Sequence, residues 1–438
     1  MKWLAPLALA VFAALPARAE IEIEEVTSPG GITAWLVEDH NIPFTALELR
    51  FQGGTSLDAP GKEGAVRLMA ALLEEGAGER DAQAFAAATE TIAADFDYDA
   101  RNDAVSVSAR FLTETRDEAV ELLRASLMEP RFDEDAIARV RSQALSAIRS
   151  DLNDPGAIAS REFARLAFGD HPYGRASDGT IESVGALTRD DLVAAHADAL
   201  ARDRVFVAAA GDITAEELGG LLDELLGGLP ETGGARPGDV AVALPGGISV
   251  VEFATPQSVA VFGHEGLPRD DEDFFAAFVL NQILGGGGFE SRLMQEVREK
   301  RGLTYGVYSY LAPKDHAALY MGRVASANDR IAEAIEVIRG EWARIARDGV
   351  TEAELEAART YLTGAYPLRF DGNGPIARIL VGMQMDGLPI TYPQTRNDQL
   401  AAITLEDVNR VAAELLKPER LHFVVAGQPE GLETTPGQ

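Results

Sequence analysis

The chain contains no cysteine. No disulfide can staple it, so its stability rests on the burial of a core. No thiolate can hold zinc, and no cysteine can act as a nucleophile. Histidine is scarce as well: the six are His40, His171, His196, His264, His316 and His422. No two lie four residues apart, so no helix presents a His pair to a metal, and HExxH and HxxEH are both absent. The nucleophile elbow G-x-S-x-G is missing. The glycine run LGGGGFESR (284–292) lacks the Lys-Ser/Thr of a P-loop and the GxGxxG spacing. It reads as a turn leading into a helix, with Ser291 as the cap. His264 reads as the end of a strand, His171 as a loop residue, and His196 as lying on an exposed helix.

Basic residues are few: 39 Lys and Arg stand against 70 Asp and Glu, a net charge of −31. Such an anion repels nucleic acid and anionic headgroups, which excludes both as partners. It is compatible with peptide substrates and with a partner protein carrying basic patches. Long apolar runs are also missing: no stretch of about 18 apolar residues spans a bilayer. The first 19 residues, MKWLAPLALAVFAALPARA, have a basic start at Lys2, a short apolar core and Ala17-Arg18-Ala19 before Glu20. That pattern predicts a secretory signal peptide over 1–19. Its removal leaves 419 residues (438 − 19) and takes the charge to −33, since Lys2 and Arg18 go with it. The exported chain is expected in the periplasm of a Gram-negative source.

What is present is a repeat. LTRDDLVAAHADALARDRVFVAAAGDIT (187–214) aligns without a gap on ITLEDVNRVAAELLKPERLHFVVAGQPE (403–430), at an offset of 216. Each block opens on Thr with acidic residues behind it, runs through a helix, and closes on an apolar strand ending at glycine. A looser pair, 116–148 and 330–366, shows two helices with a short break. ALELRFQ (46–52) and AVSVSARF (104–111) alternate like half-buried antiparallel strands; 249–253, 258–264 and 318–325 are the counterparts. The expected fold is α+β: two repeated α/β-roll halves, each an antiparallel-rich sheet flanked by helices, enclosing a cavity. Boundaries fall at 20–228 and 246–432, with a Gly/Pro-rich linker over 229–245 and a tail over 433–438.

The segment SRLMQEVREKRGLTYGVYSYL (291–311) carries the sharpest chemistry. Its first part predicts a helix ending at Gly302, with Leu293 and Val297 buried. Arg298, Lys300 and Arg301 fall in the last turn, where each cation gains about 0.3–1 kcal/mol from the helix dipole. Residues 303–311 then alternate as a strand, with Leu303, Tyr305, Val307 and Ser309 on one face.

LMQEVREKRGLTYGVYS resembles the second-half signature of the pitrilysin/insulinase family of zinc metallopeptidases, which includes the mitochondrial processing peptidases. The resemblance extends over the mature chain, through LGGGGFESRL and the closing strand-glycine of each half. In that family an arginine and a tyrosine seven residues apart project into the peptidase cavity; here these are Arg298 and Tyr305. The family's zinc helix carries His-x-x-Glu-His after a segment like SLDAPGKEG, with a Glu ligand further on. Alignment on Gly64 puts Arg67 at the first His, Ala70 at the catalytic Glu, Ala71 at the second His, and Ala147 at the distal Glu. Zinc needs three protein ligands and a base for its water; alanine offers no lone pair and arginine repels a dication. The resemblance therefore implies a chain with no metal of its own. It would serve as the zinc-less subunit of a heterodimer with a homologous zinc-binding subunit, supplying Arg298 and Tyr305 to peptide hydrolysis. The alternative it leaves is a peptide-binding or assembly subunit of the respiratory-chain core type.

Overall fold

The computed structural model describes residues 21–435; the expected signal peptide lies outside them. The first half builds a sheet from β1 (Glu24–Thr27), β2 (Thr33–Glu38), β3 (Phe44–Gln52), β4 (Asp95–Ala100), β5 (Ala104–Leu112) and β6 (Val205–Gly211). The second half builds one from β7 (Gly247–Glu252), β8 (Gln257–Glu265), β9 (Val307–Lys314), β10 (Ala317–Ala327) and β11 (His422–Gly427). Their orders are β1-β2-β6-β3-β5-β4 and β9-β10-β8-β11-β7. Without β1 the two are one design. A parallel pair (β2/β6, β7/β11) is followed by three antiparallel steps out to an edge strand, β4 or β9.

The repeated blocks owe their shape to local chemistry. Thr188 accepts from the Asp191 N–H at 3.3 Å, and the Asp191 carboxylate accepts from the Thr188 N–H at 2.7 Å. Thr404 and Asp407 repeat the reciprocal cap at 3.2 and 2.9 Å. Two of the four free N–H groups at each helix start are thereby satisfied. Each closing strand ends on a glycine with positive φ, Gly211 at 124° and Gly427 at 155°.

The halves exchange helices. Helix Asn373–Met385, from the second half of the chain, lays Ile376, Ala377, Leu380 and Val381 on Trp35, Val37, Ala46 and Ala208 of the first sheet. Helix Pro155–Phe168 returns the favour, packing Ala159, Phe163 and Ala167 on Val261, Val424 and Ala426 of the second sheet. This corrects the expectation for 46–52. Leu47, Leu49 and Phe51 face the first half's own core, and the other face, with Ala46 and Glu48, is buried under the exchanged helix. Glu48 accepts from Ser108 at 2.8 Å and lies 3.5 Å from Arg378 of that helix. The stretch read as a linker is held in place too. Val240 N–H donates to the His316 carbonyl, Ala243 N–H to that of Ala167, and Leu244 is buried.

No helix of the described residues is long and apolar enough to cross a membrane. His196 is half-buried rather than exposed, its Nε2 at 2.8 Å from the Leu127 carbonyl.

Candidate functional site

Helix Ala65–Ala71 starts from Gly64, whose φ of 90° suits glycine. Asp58 caps it, accepting from the Gly64 and Val66 N–H groups at 2.8 and 2.9 Å. Positions 67 and 71 are one turn apart, so their side chains share a face. Together with Ala147 of helix Glu134–Asp151 they line one cavity of about 420 Å³. Ala70 does not join them; it is buried in the first half's core. Three of the four expected positions therefore meet, although they lie far apart in sequence.

The donor set there does not fit zinc. The guanidinium of Arg67 reaches Asp178 at 2.9 Å, donates to the Ala100 carbonyl at 2.8 Å, and lies 3.8 Å from Asp99. A permanent cation occupies the place where a ligand would stand, and Ala71 and Ala147 carry no lone pair. Among the described residues no three His, Cys, Asp or Glu side chains gather to hold a metal ion.

Arg298 and Tyr305 line a second cavity, of about 520 Å³, with Thr304, Ala325 and Arg330. The approach to it differs from expectation. The helix is a π-turn over Met294–Glu299, with Lys300 N–H donating to the Gln295 carbonyl. Leu293 and Val297 are buried as expected, and Gly302 ends the turn at φ 61°. Lys300 and Arg301 both pair with Glu296, at 2.6 and 2.7 Å. Arg298 does not join that cluster. Its guanidinium stacks over the Phe289 ring at 4.6 Å, with Glu299 at 3.5 Å.

The strand starts only at Val307, so Tyr305 does not share a face with the buried Leu303, Val307 and Ser309. The cause is Thr304. Its hydroxyl accepts from the Gly306 N–H at 3.0 Å and sits 2.6 Å from the Ala325 carbonyl, closing a local turn in place of a ladder step. That turn lifts Tyr305 out to 86% exposure. The π-turns and the tight turn at Thr304 went unseen in the sequence; the Thr-x-Gly spacing is the one signal that could have shown the second.

Each cavity is built from one half alone. A third, of about 840 Å³, does lie between the halves, but neither cluster lines it. The zinc-motif positions and the Arg298–Tyr305 pair thus lie in two separate clusters. The glycine run opposes β9: a Cβ on Gly285 would stand 2.3 Å from Ser309 Oγ. Ser291 does act as a cap, accepting from Met294 N–H at 3.4 Å.

Comparison with known proteins places this arrangement. The model of the peptidase M16 inactive domain matches residues 186–362. A Helicobacter pylori protein named "Non-peptidase homolog YmxG" is 27% identical over 413 residues, covering 93% of this chain and 94% of that protein. An uncharacterized zinc protease of Mycobacterium leprae is 30% identical over 385 residues, covering 86% of this chain and 85% of its own. The crystal structure of a peptidase M16 inactive domain from Pseudomonas fluorescens shares 31% identity at a TM-score of 0.88, covering 95% of this chain and 99% of that one. The chain belongs to the M16 peptidase family, the pitrilysin/insulinase family its sequence resembles, and its residues 186–362 match the model of that family's inactive domain.

Proposed function

We propose that this chain is the zinc-less subunit of an exported, periplasmic heterodimeric metallopeptidase that hydrolyses peptides. Its partner would be a homologous subunit carrying an intact zinc motif and the metal-bound water. The observation that carries the reading is an asymmetry. The zinc-motif positions hold a paired arginine and alanines, while Arg298 and Tyr305 share one open cavity. In the complex the Tyr305 hydroxyl donates to the oxyanion forming on the scissile carbonyl, and Arg298 holds a neighbouring peptide carbonyl. Such donors act by matching charge that develops in the transition state. They do nothing without an activated water opposite them.

The test compares three preparations: the exported chain alone, the chain with a zinc-motif homologue, and Tyr305→Phe with that homologue. Cleavage of an unfolded peptide and bound zinc are measured in each. The chain alone is expected to hold no zinc and cleave nothing, and the pair to cleave. The Phe variant is expected to lose roughly 10² in rate, the size of a lost oxyanion donor. Undiminished cleavage by the Phe variant would transfer the chain to an assembly role. Zinc-dependent cleavage by the solitary chain would overturn the proposal.

A further inference from the structure

A cavity of about 420 Å³ opens in the second half, away from both clusters described above. Its walls come from helix Phe274–Asn281, from β9, from the exchanged helix Asn373–Met385 and from helix Tyr392–Ala402. Two features are unusual together. The walls are aromatic, with Phe274, Phe275, Phe278, Tyr310, Tyr366 and Tyr392, and four arginines converge on them. In a chain with 70 acidic residues against 39 basic ones, arginines should find carboxylates easily.

Two of the four do. Arg269 lies 3.7 Å from Asp386, donates to the Tyr392 hydroxyl at 3.0 Å and stacks over Phe274 at 4.4 Å. Arg378 lies 3.5 Å from Glu48. The other two have no carboxylate partner among the described residues. Arg396 is 5% exposed; its guanidinium lies over the Tyr366 ring at 4.1 Å and donates to the Leu362 carbonyl and the Asn397 amide oxygen at 3.3 and 3.2 Å. Arg369 stands at the exposed rim of the same cavity. Burying an uncompensated cation is costly: desolvation pulls the Arg396 pKa below its usual value, and the nearby Arg369 charge adds to that. Tyr366, 6% exposed, adds a second unmet demand: its hydroxyl is buried with no hydrogen-bond partner among the described residues. Unpaired buried polar groups are rare in native structures.

We propose that this cavity binds an organic carboxylate on an aromatic or aliphatic body of about amino-acid size. The carboxylate would bridge Arg369 and Arg396 and accept from the Tyr366 hydroxyl, while the body lies among the phenylalanines. A planar carboxylate matches the guanidinium fork, and aromatic walls match an apolar body. One ligand would remove both buried deficits, with Arg369 as a second guanidinium at the rim. Both a free small acid and the C-terminal residue of a peptide have this chemistry. The assignment stands apart from the heterodimer reading, since it needs neither zinc nor a partner.

Titration calorimetry on the exported chain alone tests it. The probes are N-acetyl-phenylalanine, its C-terminal amide, a short peptide ending in phenylalanine in free and amidated forms, and inorganic phosphate. Saturable binding of the free acids is expected, with the amides at least tenfold weaker. Arg369→Gln should weaken the acids about tenfold or more, and Tyr366→Phe roughly 3- to 10-fold. Neither substitution should lower the thermal midpoint, because neither side chain supports another residue by a hydrogen bond, and removing the unpaired Tyr366 hydroxyl can only relieve a cost. A peptide that binds tighter than the small acid assigns the site to chain ends; equal binding assigns it to free acids. Equal affinity for acid and amide, tighter binding of phosphate than of the acids, or indifference to both substitutions would overturn the inference.

Discussion

Thr304 decides what Tyr305 can do. By closing a turn onto Gly306 it takes the phenol off the strand face and presents it to solvent. Thr304→Val keeps the shape but removes the hydroxyl. In the proposed complex it is expected to lower kcat more than it raises KM, because Tyr305 keeps its hydroxyl but loses the turn that places it; an unchanged kcat would deny Thr304 this positioning role. His264 shows the opposite use of a polar group. It is buried, accepts from Trp342 Nε1 at 3.0 Å and donates from Nδ1 to the Glu265 carbonyl at 2.6 Å, so its ring is held neutral. Burial pushes its pKa down to about 4, below the 6.5 of an unfolded histidine. The stability this contributes is present above pH 6.5 and is lost as pH falls toward 4. The full loss approaches about 3 kcal/mol. Denaturant titrations between pH 7.5 and 4.5 should show that decline, and His264→Gln should flatten it. At this scale the sequence was legible where chemistry is local. The Thr188 and Thr404 caps are written within four residues. The exposure of Tyr305 depends on a hydroxyl competing with the strand ladder, which alternation cannot reveal.

Among the elements, β9 is shaped from outside. The π-turn Gln282–Gly286 presses against it so closely that Gly285 leaves no room for a methyl beside Ser309. Gly285→Ala is therefore expected to cost about 1–3 kcal/mol by overpacking, measured as a shift in the denaturant midpoint, whereas Gly306→Ala, with open space around it, should not clash. An equal effect of both would point to chain flexibility instead. The run of four glycines was visible in the sequence, but not its purpose, since nothing local says which strand it meets. The same holds for the strand at 46–52. Its alternating pattern implied one wet face, and only the long-range arrival of helix Asn373–Met385 makes both faces dry. Amphipathic periodicity fixes which side of an element is buried, not what buries it.

For the molecule as a whole, the repeat at offset 216 was legible and corresponds to a shared strand order in the two sheets. The exchange of helices was not legible, because both exchanged helices have the composition of ordinary core helices. It carries a prediction. Phe163, 1% exposed, comes from the first half and sits in the second half's outer core; Leu380 does the reverse. Phe163→Ala should cost about 3–5 kcal/mol and Leu380→Ala about 2–5 kcal/mol. Calorimetry should show one transition moving down in each case. Two separable transitions, with only one of them shifted, would mean that the halves are independently stable.

Helix Pro155–Phe168 and helix Asn373–Met385 clasp the chain like interlocked fingers. Prising one half from the other would strip two apolar surfaces at once, so the polypeptide has no inexpensive hinge along its middle. Whatever opens to admit a ligand must be a surface loop, or a seam with a different molecule.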